Sequence, residues 1–278
     1  MRSGGGGAEA GAQIREVNVT DVVDEVKREA AAGTHLLTMF GLSAGVRASL
    51  GHVSVRVPGQ PDRFVVKGRG YRTDALPAMR PEDMVLCDLD GVWVDGPRHI
   101  VPCFEVKIHS CIFRDRPDVQ SVVHVHPKYA VLLSVLHRQL QPMCAEGSRL
   151  VLDPIPVYPR QKIITTDEEG TEVARMLGQG SVELLFGHGA VTVGGSMEEA
   201  IMQMAQLEHQ AEMNFLAGLL DGREHGSVPR ELVLEATAGG GRSQFDLPHF
   251  RESVARAGEP QYRGAWGYWM DQAYADLA

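Results

Sequence analysis

The sequence predicts a mixed α/β protein, and three observations support this fold class. The segment "GHVSVRVPG" alternates apolar and polar residues, which is the period of a half-buried strand. Apolar residues recur at helical spacing from Thr20 to about Phe40. A second, long helix is predicted after Ser196, because Glu199 stands three residues later in the arrangement of a capping box.

The other elements can be predicted in chain order. "RFVVKG" and "DMVLCDLDGVWVDG" continue the β pattern, and Asp90-Gly91 predicts a hairpin turn. "CFEVKIHSCIFRDRPDV" has a helical period, which Pro117 ends. "VQSVVHVH" predicts a strand, "KYAVLLSVLHRQL" a helix, and "VELLFGHGAVTVGG" two strands joined by a turn. Residues 225–245 are rich in Gly and Ser and predict a loop, whereas the aromatic tail "GEPQYRGAWGYWMDQAYADLA" predicts a docked helix.

These elements divide the chain into three parts. Residues 1–17 contain four consecutive glycines and predict a flexible N-terminal arm. Residues 18–222 contain most of the predicted helices and strands and form the expected main domain. Residues 223–278 are expected to be a C-terminal extension that packs on the same domain or on a neighbouring subunit.

Composition excludes several classes of function. A net charge of −9 and a pI near 5.7 offer no basic surface to a nucleic acid. The four cysteines are far apart and form no CxxC pair, so buried thiols are expected rather than disulfides or a zinc knuckle. No apolar run approaches the ~20 residues that span a bilayer, and the N-terminus lacks the apolar segment of a signal peptide. We therefore expect a cytoplasmic protein that binds neither nucleic acid nor membrane.

Two histidines separated by one residue are unusual on a predicted strand. His124 and His126 project to the same face, because side chains two residues apart in a strand point in the same direction. Such a pair is a recurrent way to bind a metal that prefers imidazole, although a lone HxH is more often incidental.

Two further residues strengthen the case for a metal site. His188 stands between two glycines in the turn of "LLFGHGAVTVGG", where glycine permits a close approach to a bound group. Glu105 begins the helix before the HxH strand, and a carboxylate beside a metal can serve as ligand or as general acid/base. The simpler alternatives are an exposed turn histidine and a solvated acid at a helix N-terminus.

The run from "FEVKIHSCIFRDRPDVQSVVHVHPKYAVLLSVL" to "ELLFGHGAVTVGGSMEEAIMQMAQLEHQAEM" closely resembles the class II aldolase/adducin-type family, over about residues 20–220. The resemblance implies a three-layer α/β/α sandwich around a central, mostly antiparallel sheet. It also implies a divalent transition metal on His124, His126 and His188, Glu105 as the catalytic acid/base, and a homotetramer with active sites between subunits. Adducin heads keep the fold without the metal site, so the presence of all four residues indicates an enzyme.

The phosphate-binding pattern of the sugar-phosphate aldolases in this family is incomplete. His52 replaces Asn in "GHVS", and Phe104 stands before Glu105 where those aldolases have serine. Arg69 and Tyr71 in "KGRGYR" offer a cation and an aromatic ring, unless they form only a solvated basic loop. We therefore expect an aromatic carboxylate as the small-molecule substrate, contacted by Arg69, Tyr71, His52 and Phe104.

The chain also looks similar to the bifunctional non-haem iron oxygenases of aminocoumarin (clorobiocin and novobiocin) biosynthesis. Those enzymes convert prenylated 4-hydroxyphenylpyruvate, through the mandelate, to prenylated 4-hydroxybenzoate. This resemblance implies Fe(II) as the metal and O₂ as a cosubstrate in oxidative decarboxylation. The alternative is a lyase that uses no O₂, either an aldolase or an aromatic-acid decarboxylase, with Zn(II) as the alternative metal. A non-catalytic adducin-like module is the third possibility.

Overall fold

The computed structural model describes residues 19–70, 74–222, 224–237, 247–257 and 263–277. The predicted N-terminal arm and Tyr71 lie outside these ranges. Within them the helices are α1 Val19–Met39, α2 Val106–Asp115, α3 Lys128–Val135, α4 Asp167–Leu177, α5 Met197–Asp221, α6 Arg230–Thr237, α7 Pro248–Ala257 and α8 Arg263–Leu277. The strands are β1 His52–Val57, β2 Gln60–Arg69, β3 Met84–Asp88, β4 Trp93–Asp95, β5 Val101–Pro102, β6 Ser121–Val125, β7 Val157–Tyr158, β8 Val182–Leu185 and β9 Gly189–Gly194.

The strands form one sheet in the order β4-β3-β2-β1-β6-β9-β8-β7, with β5 paired to the end of β2. Every pair is antiparallel except β7 with β8. The expectation of a mostly antiparallel sheet is thus confirmed. The sheet places β6 beside β9, although about sixty residues of chain separate them.

Helices cover both faces of the sheet and make the three-layer sandwich. The first core lies between the sheet and the layer that contains α1 and α5, and the second lies between the sheet and the layer of α2 and α4. Gly33 of α1 leaves room for the Met197 side chain of α5, because a Cβ there would lie 2.5 Å from Met197 Sδ. Strand β1 shows the consequence for side chains: its valines enter the first core, while Ser54 and Arg56 point toward α2. The strand predicted to be half-buried is therefore buried on both faces.

Arg56 holds the C-terminal end of α2 against the sheet. Its Nη2 donates to Phe113 O at 2.8 Å and to Arg116 O at 3.2 Å, and its Nε donates to Val119 O at 3.0 Å. The guanidinium carbon lies 4.7 Å from the centre of the Phe113 ring. The last carbonyls of a helix have no partner within the helix, so these donors satisfy groups that burial would otherwise leave unpaired.

The structure departs from the sequence-based expectations at several elements. The loop predicted for residues 225–245 is wrong at Arg230–Thr237, which form helix α6, whereas 238–245 lie outside the described residues. Helix α4 was not predicted at all. Helix α3 ends at Val135, before the predicted end, and His137 then adopts a left-handed backbone with φ of 51°.

The N-terminus of α5 shows one half of the predicted capping box. Ser196 Oγ accepts from Glu199 N at 3.1 Å, as expected. The Glu199 carboxylate, however, accepts from Gly195 N at 2.8 Å and not from Ser196.

The cysteines are free thiols, three of them buried and Cys144 half-buried. Among the described residues, no helix combines the length and apolar character that crossing a bilayer requires.

Candidate metal centre

Three histidines meet where β6 ends and β9 begins. Because β6 and β9 are antiparallel neighbours, the turn that carries His188 lies beside the end of β6, where His124 and His126 stand. The ring centroids of His124 lie 5.1 Å from those of His126 and His188, and the latter two are 4.7 Å apart. β6 covers only Ser121–Val125 of the predicted strand "VQSVVHVH", so it begins two residues later than predicted, and His126 directly follows its last residue.

The two glycines around His188 allow this approach. Gly187 has φ of 60°, in the region that favours glycine. A Cβ at Gly189 would lie 2.7 Å from His124 Cε1 and 2.5 Å from Val125 O, so a larger residue would push the two strands apart.

Glu105 joins the same cluster from the helical layer of α2 and α4, which packs against the sheet. It is the N-cap residue of α2, and its Oε2 lies 3.3 Å from His124 Nε2 while its Oε1 lies 3.4 Å from His188 Nε2. The backbone N–H of Ile164 donates to Oε1 at 3.0 Å and holds the carboxylate in place. One ligand atom from each of Glu105 and the three histidines fits within 4.8 Å of the others.

The orientation of His124 fits a cation in this cluster. Its Nδ1 donates to Ala190 O at 3.0 Å, which leaves Nε2 directed at the Glu105 carboxylate. That buried Nε2 has no hydrogen-bond partner within the described part of the chain, and neither does Nδ1 of His188. A lone pair facing a carboxylate oxygen at 3.3 Å is repulsive unless a proton or a metal ion lies between the two atoms. The donor set therefore fits a divalent ion.

Burial and the neighbouring groups together determine the protonation of these residues. Burial raises the pKa of the Glu105 carboxyl, but the neighbouring imidazoles of His124 and His188 lower it by more, so the net shift is downward. Burial, with the positive potential of the same two neighbours, lowers the pKa of His126 to about 3. An ionised carboxylate and a neutral imidazole are the forms that coordinate a metal ion.

His52 also borders the cluster, and a chain of buried side chains leads from it to Ser54. It stands opposite His124 in the register of β1 and β6, and its Nε2 lies 4.0 Å from Glu105 Oε2. Its Nδ1 is 2.8 Å from His109 Nε2, and His109 Nδ1 is 2.7 Å from Ser54 Oγ. Burial lowers the pKa of both imidazoles, that of His109 to about 3. Ser54 was missed in the sequence, although the strand period places it on the same face as His52.

The other predicted substrate contacts form a separate pair. The Arg69 guanidinium lies 4.2 Å over the Phe104 ring, and its Nε is 3.3 Å from Asp74 Oδ2. Asp74 also accepts from buried Lys67 at 2.6 Å. Phe104 is 49% exposed and directly precedes Glu105, so this pair lies at the edge of the cluster. The prediction for Tyr71 falls outside the described residues.

A pocket of about 320 Å³ opens over the histidines, lined by His126, Gln161, Lys162, Ile163, Gly187 and His188. The sequence offered no pattern for residues 161–163, which lie between β7 and α4. Glu208 of α5 accepts from Tyr129 N at 2.9 Å and from Ala130 N at 3.0 Å, and so caps the N-terminus of α3. A larger pocket of about 670 Å³ lies between α3 and α5 and shares no lining residue with the cluster.

Comparison with known proteins gives consistent matches. The family model described as "Class II Aldolase and Adducin N-terminal domain" matches residues 28–215. A 3,4-dihydroxyphthalate decarboxylase of Arthrobacter keyseri is 31% identical over 196 residues, which are 67% of this chain and 77% of that protein. A 4-hydroxy-3-prenylphenylpyruvate oxygenase/4-hydroxy-3-prenylbenzoate synthase of Streptomyces roseochromogenus subsp. oscitans is 30% identical over 155 residues, 55% of this chain and 54% of that protein. The crystal structure of an aldolase II superfamily protein from Pseudomonas syringae covers 93% of this chain and 94% of its own, with a TM-score of 0.72 and 24% identity.

Proposed function

The chain belongs to the class II aldolase and adducin family, and from this premise we propose that it is a divalent-metal lyase that decarboxylates a hydroxylated aromatic acid. The observation that carries the proposal is the position of Glu105, whose two carboxylate oxygens lie 3.3 Å and 3.4 Å from the imidazoles of His124 and His188. The similarity to a 3,4-dihydroxyphthalate decarboxylase, which extends over two thirds of the chain, supports the choice of substrate class.

We assign the metal to His124, His126 and His188, in keeping with the family pattern. A divalent ion held there would supply Lewis-acid stabilisation of the negative charge that develops on the substrate oxygens. Neutral imidazoles suit both Zn(II) and Fe(II), so the ligand set is compatible with either ion.

Glu105 moves the proton in this proposal. Its carboxylate accepts a proton from a phenolic hydroxyl of the bound acid and returns it to the ring carbon that loses the carboxylate. The C–C bond breaks, CO₂ leaves, and the proton takes its place, so the reaction needs no oxidant. The hydrogen bond from Ile164 N keeps one carboxylate oxygen in place during both transfers.

The pocket is suited to a small aromatic ring. Its volume of about 320 Å³ lies at the lower end of the usual range for small-molecule sites. Arg69, stacked on Phe104, is the proposed contact for a carboxylate at the edge of the site, and Tyr71 and His52 complete the proposed substrate contacts. Because Asp74 engages Arg69 on one side, the guanidinium can offer only its remaining donors.

A decarboxylation assay under argon and under air tests the proposal. We take 3,4-dihydroxyphthalate as the substrate and supply Zn(II), Mn(II) or Fe(II) to the purified protein, and we expect equal release of CO₂ in both atmospheres. Glu105→Gln should keep the metal and lose activity about 100-fold or more. His126→Ala should lose bound metal in elemental analysis. Undiminished turnover by Glu105→Gln, or no CO₂ from the metal-loaded wild type, would overturn the proposal.

A second candidate function is oxidative decarboxylation with Fe(II) and O₂. The observation that favours it is the 30% identity to the prenylphenylpyruvate oxygenase/prenylbenzoate synthase. It predicts O₂ uptake with prenylated 4-hydroxyphenylpyruvate and no turnover under argon. Cleavage of a 2-oxo acid by an aldolase reaction would use the same residues and is distinguished by an aldehyde product.

The family expectation of a homotetramer, with active sites between subunits, is part of the proposal. Light scattering of the purified protein should then give a mass four times the 30.3 kDa of one chain.

A further inference from the structure

Three buried side chains form a continuous chain of hydrogen bonds that ends at the metal cluster. Ser54 Oγ lies 2.7 Å from His109 Nδ1, and His109 Nε2 lies 2.8 Å from His52 Nδ1. His52 Nε2 then faces Glu105 Oε2 at 4.0 Å. Ser54 and His109 are fully buried and His52 is 6% exposed. We call these three residues the Ser54–His109–His52 relay.

The hydroxyl hydrogen of Ser54 sets the direction of the relay. The hydroxyl has two acceptors within reach, His109 Nδ1 at 2.7 Å and Val122 O at 3.4 Å. If His109 Nδ1 were the donor, the Ser54 hydroxyl would be left with only the Val122 carbonyl at 3.4 Å, outside the usual range of about 2.5–3.0 Å, and we therefore infer that its hydrogen points to His109.

Each neutral imidazole carries one N–H, and the relay determines where it lies. His109 accepts at Nδ1, so its hydrogen is on Nε2 and is donated to Nδ1 of His52. His52 therefore accepts at Nδ1 and carries its own hydrogen on Nε2, the atom that faces the cluster.

We propose that the relay holds His52 in its Nε2–H form, so that His52 donates a hydrogen bond to an anionic oxygen of the substrate and does not act as a fourth metal ligand. The His52 ring lies 5.1 Å from the His124 ring, close enough to compete for an ion if its Nε2 had a free lone pair. The identity of the accepting oxygen rests on the proposed function, whereas the tautomer of His52 does not.

The fixed tautomer also selects the substrate. An amide at this position can donate or accept by rotating, but a locked Nε2–H can only donate. A carboxylate or phenolate oxygen satisfies such a donor, and a hydroxyl is a weaker partner because its bond lacks charge assistance. The relay therefore favours a substrate that presents an ionised oxygen beside Glu105.

A second metal site is the competing explanation for these residues. The possible ligand atoms of His52, His109 and Cys103 lie within 4.8 Å of one another. Two facts oppose it: the facing nitrogens of the imidazoles already bond each other at 2.8 Å, and burial raises the pKa of the Cys103 thiol, so the thiolate is disfavoured.

Solid-state ¹⁵N NMR of full-length protein labelled at histidine reads the tautomer directly, first metal-free and then loaded with Zn(II). Signals are assigned by their loss in His52→Gln and His109→Gln. We expect His52 to be protonated at Nε2 and unprotonated at Nδ1 in both states, with one Zn(II) per chain. Protonation of His52 at Nδ1, a metal-bound His52, or two Zn(II) per chain would each refute the proposal.

Ser54→Ala removes the start of the relay and should release His52 into a mixture of tautomers. Ser121→Ala is the matched control, because Ser121 is an equally buried serine on β6 whose hydroxyl donates to the backbone carbonyl of Ser54 at 2.8 Å and to none of the three relay side chains. The control should keep the wild-type ¹⁵N spectrum. An unchanged His52 tautomer in Ser54→Ala would show that Ser54 does not set it.

Kinetics test the donor role. With 3,4-dihydroxyphthalate, His52→Leu should raise KM about 10- to 100-fold, His52→Gln should restore part of the loss through its amide N–H, and Ser121→Ala should change nothing. Wild-type KM in His52→Leu with intact turnover would refute the donor role. If the wild type itself releases no CO₂, the proposed function fails, and the NMR result still decides whether the relay exists.

Discussion

Among single residues, Glu183 of β8 is an acid whose burial no hydrogen bond in the described structure offsets. The residue is fully buried, and among the described residues neither carboxylate oxygen has a hydrogen-bond partner. Its neighbours Val182 and Leu184 enter the core beneath α1 and α5, so Glu183 points into the opposite layer. Burial raises the pKa of its carboxyl to about 9.

This shift predicts a loss of stability as the pH rises. Folding takes up a proton between the ordinary pKa of 4.5 and about 9, so the free energy of unfolding should fall by about 1.4 kcal/mol per pH unit in that window. Glu183→Gln cannot ionise and should be more stable than wild type by about 3 kcal/mol at pH 7. Urea unfolding at pH 5 and pH 8 measures the difference between the two slopes.

The exposed carboxylate of Glu168 provides the control for that measurement. Glu168→Gln removes an acid without changing a buried group, so its slope should match that of the wild type. If the free energy of unfolding changes with pH at the same rate in wild type and in Glu183→Gln, then Glu183 has a partner that stabilises its charge.

The sequence predicted which residues form the cluster better than which residues line the pocket beside it. His124, His126, His188 and Glu105 were chosen from strand period, turn glycines and a family resemblance, and the structure brings them into one cluster. Ser54 was missed because a serine in a strand is ordinary until His109 is seen to pack on it. The walls at 161–163 have no periodicity, so only the folded chain places them at the pocket.

In the contacts between helices, Gly170 and Gly218 differ in how much space surrounds them. Gly170 lies where α4 crosses α2, and a Cβ there would meet Lys107 O at 2.5 Å and Cys111 Sγ at 2.7 Å. At Gly218, near the end of α5, no described atom other than those of its chain neighbours and the backbone of its own helix lies within 4 Å of the same position. The first glycine sets the distance between two helices, and the second only lowers helix propensity.

Alanine should therefore have opposite effects at the two sites. Gly218→Ala should stabilise the protein by about 0.5–1 kcal/mol through helix propensity. Gly170→Ala gains the same propensity but must displace the α2 backbone, so we expect a net loss of about 1–3 kcal/mol. Thermal unfolding measures both, and equal stabilisation by the two variants would show that α2 and α4 tolerate separation.

Helices α4 and α6 were not predicted, although short local sequence patterns indicate both of them. Thr166 and Glu169 form a capping box at the start of α4, and their spacing of three residues is a sequence signal for a helix N-terminus. Helix α6 contains no glycine, and the glycine run that suggested a loop follows it. The burial of both faces of β1 could not be read from its alternation, because it depends on α2, a distant part of the chain.

For the whole molecule, the C-terminal extension completes the first core. Met270 and Ala273 of α8 are buried in the same cluster as α1, and the Trp269 ring meets the Phe40 ring edge-on at 5.3 Å. The cluster of Glu105 and three histidines lies on the other side of the sheet, between β6 and α2. Stability and metal binding should therefore respond differently to loss of this helix.

Truncation after residue 262 tests this separation. Loss of α8 exposes the apolar face of α1, so the midpoint of thermal unfolding should fall by several degrees. Metal content per chain should remain that of the full-length protein. Calorimetry and elemental analysis measure the two properties, and an unchanged midpoint would show that α8 contributes no stability.

Helix α2 is held at both of its ends. Arg56 binds the carbonyls at the C-terminal end, and Ile164 N holds the Glu105 side chain at the other. The helix cannot slide along its axis without breaking bonds at one end or the other. The side chains at 161–163 can thus be replaced without freeing the Glu105 carboxylate from its place beside the imidazoles of the cluster.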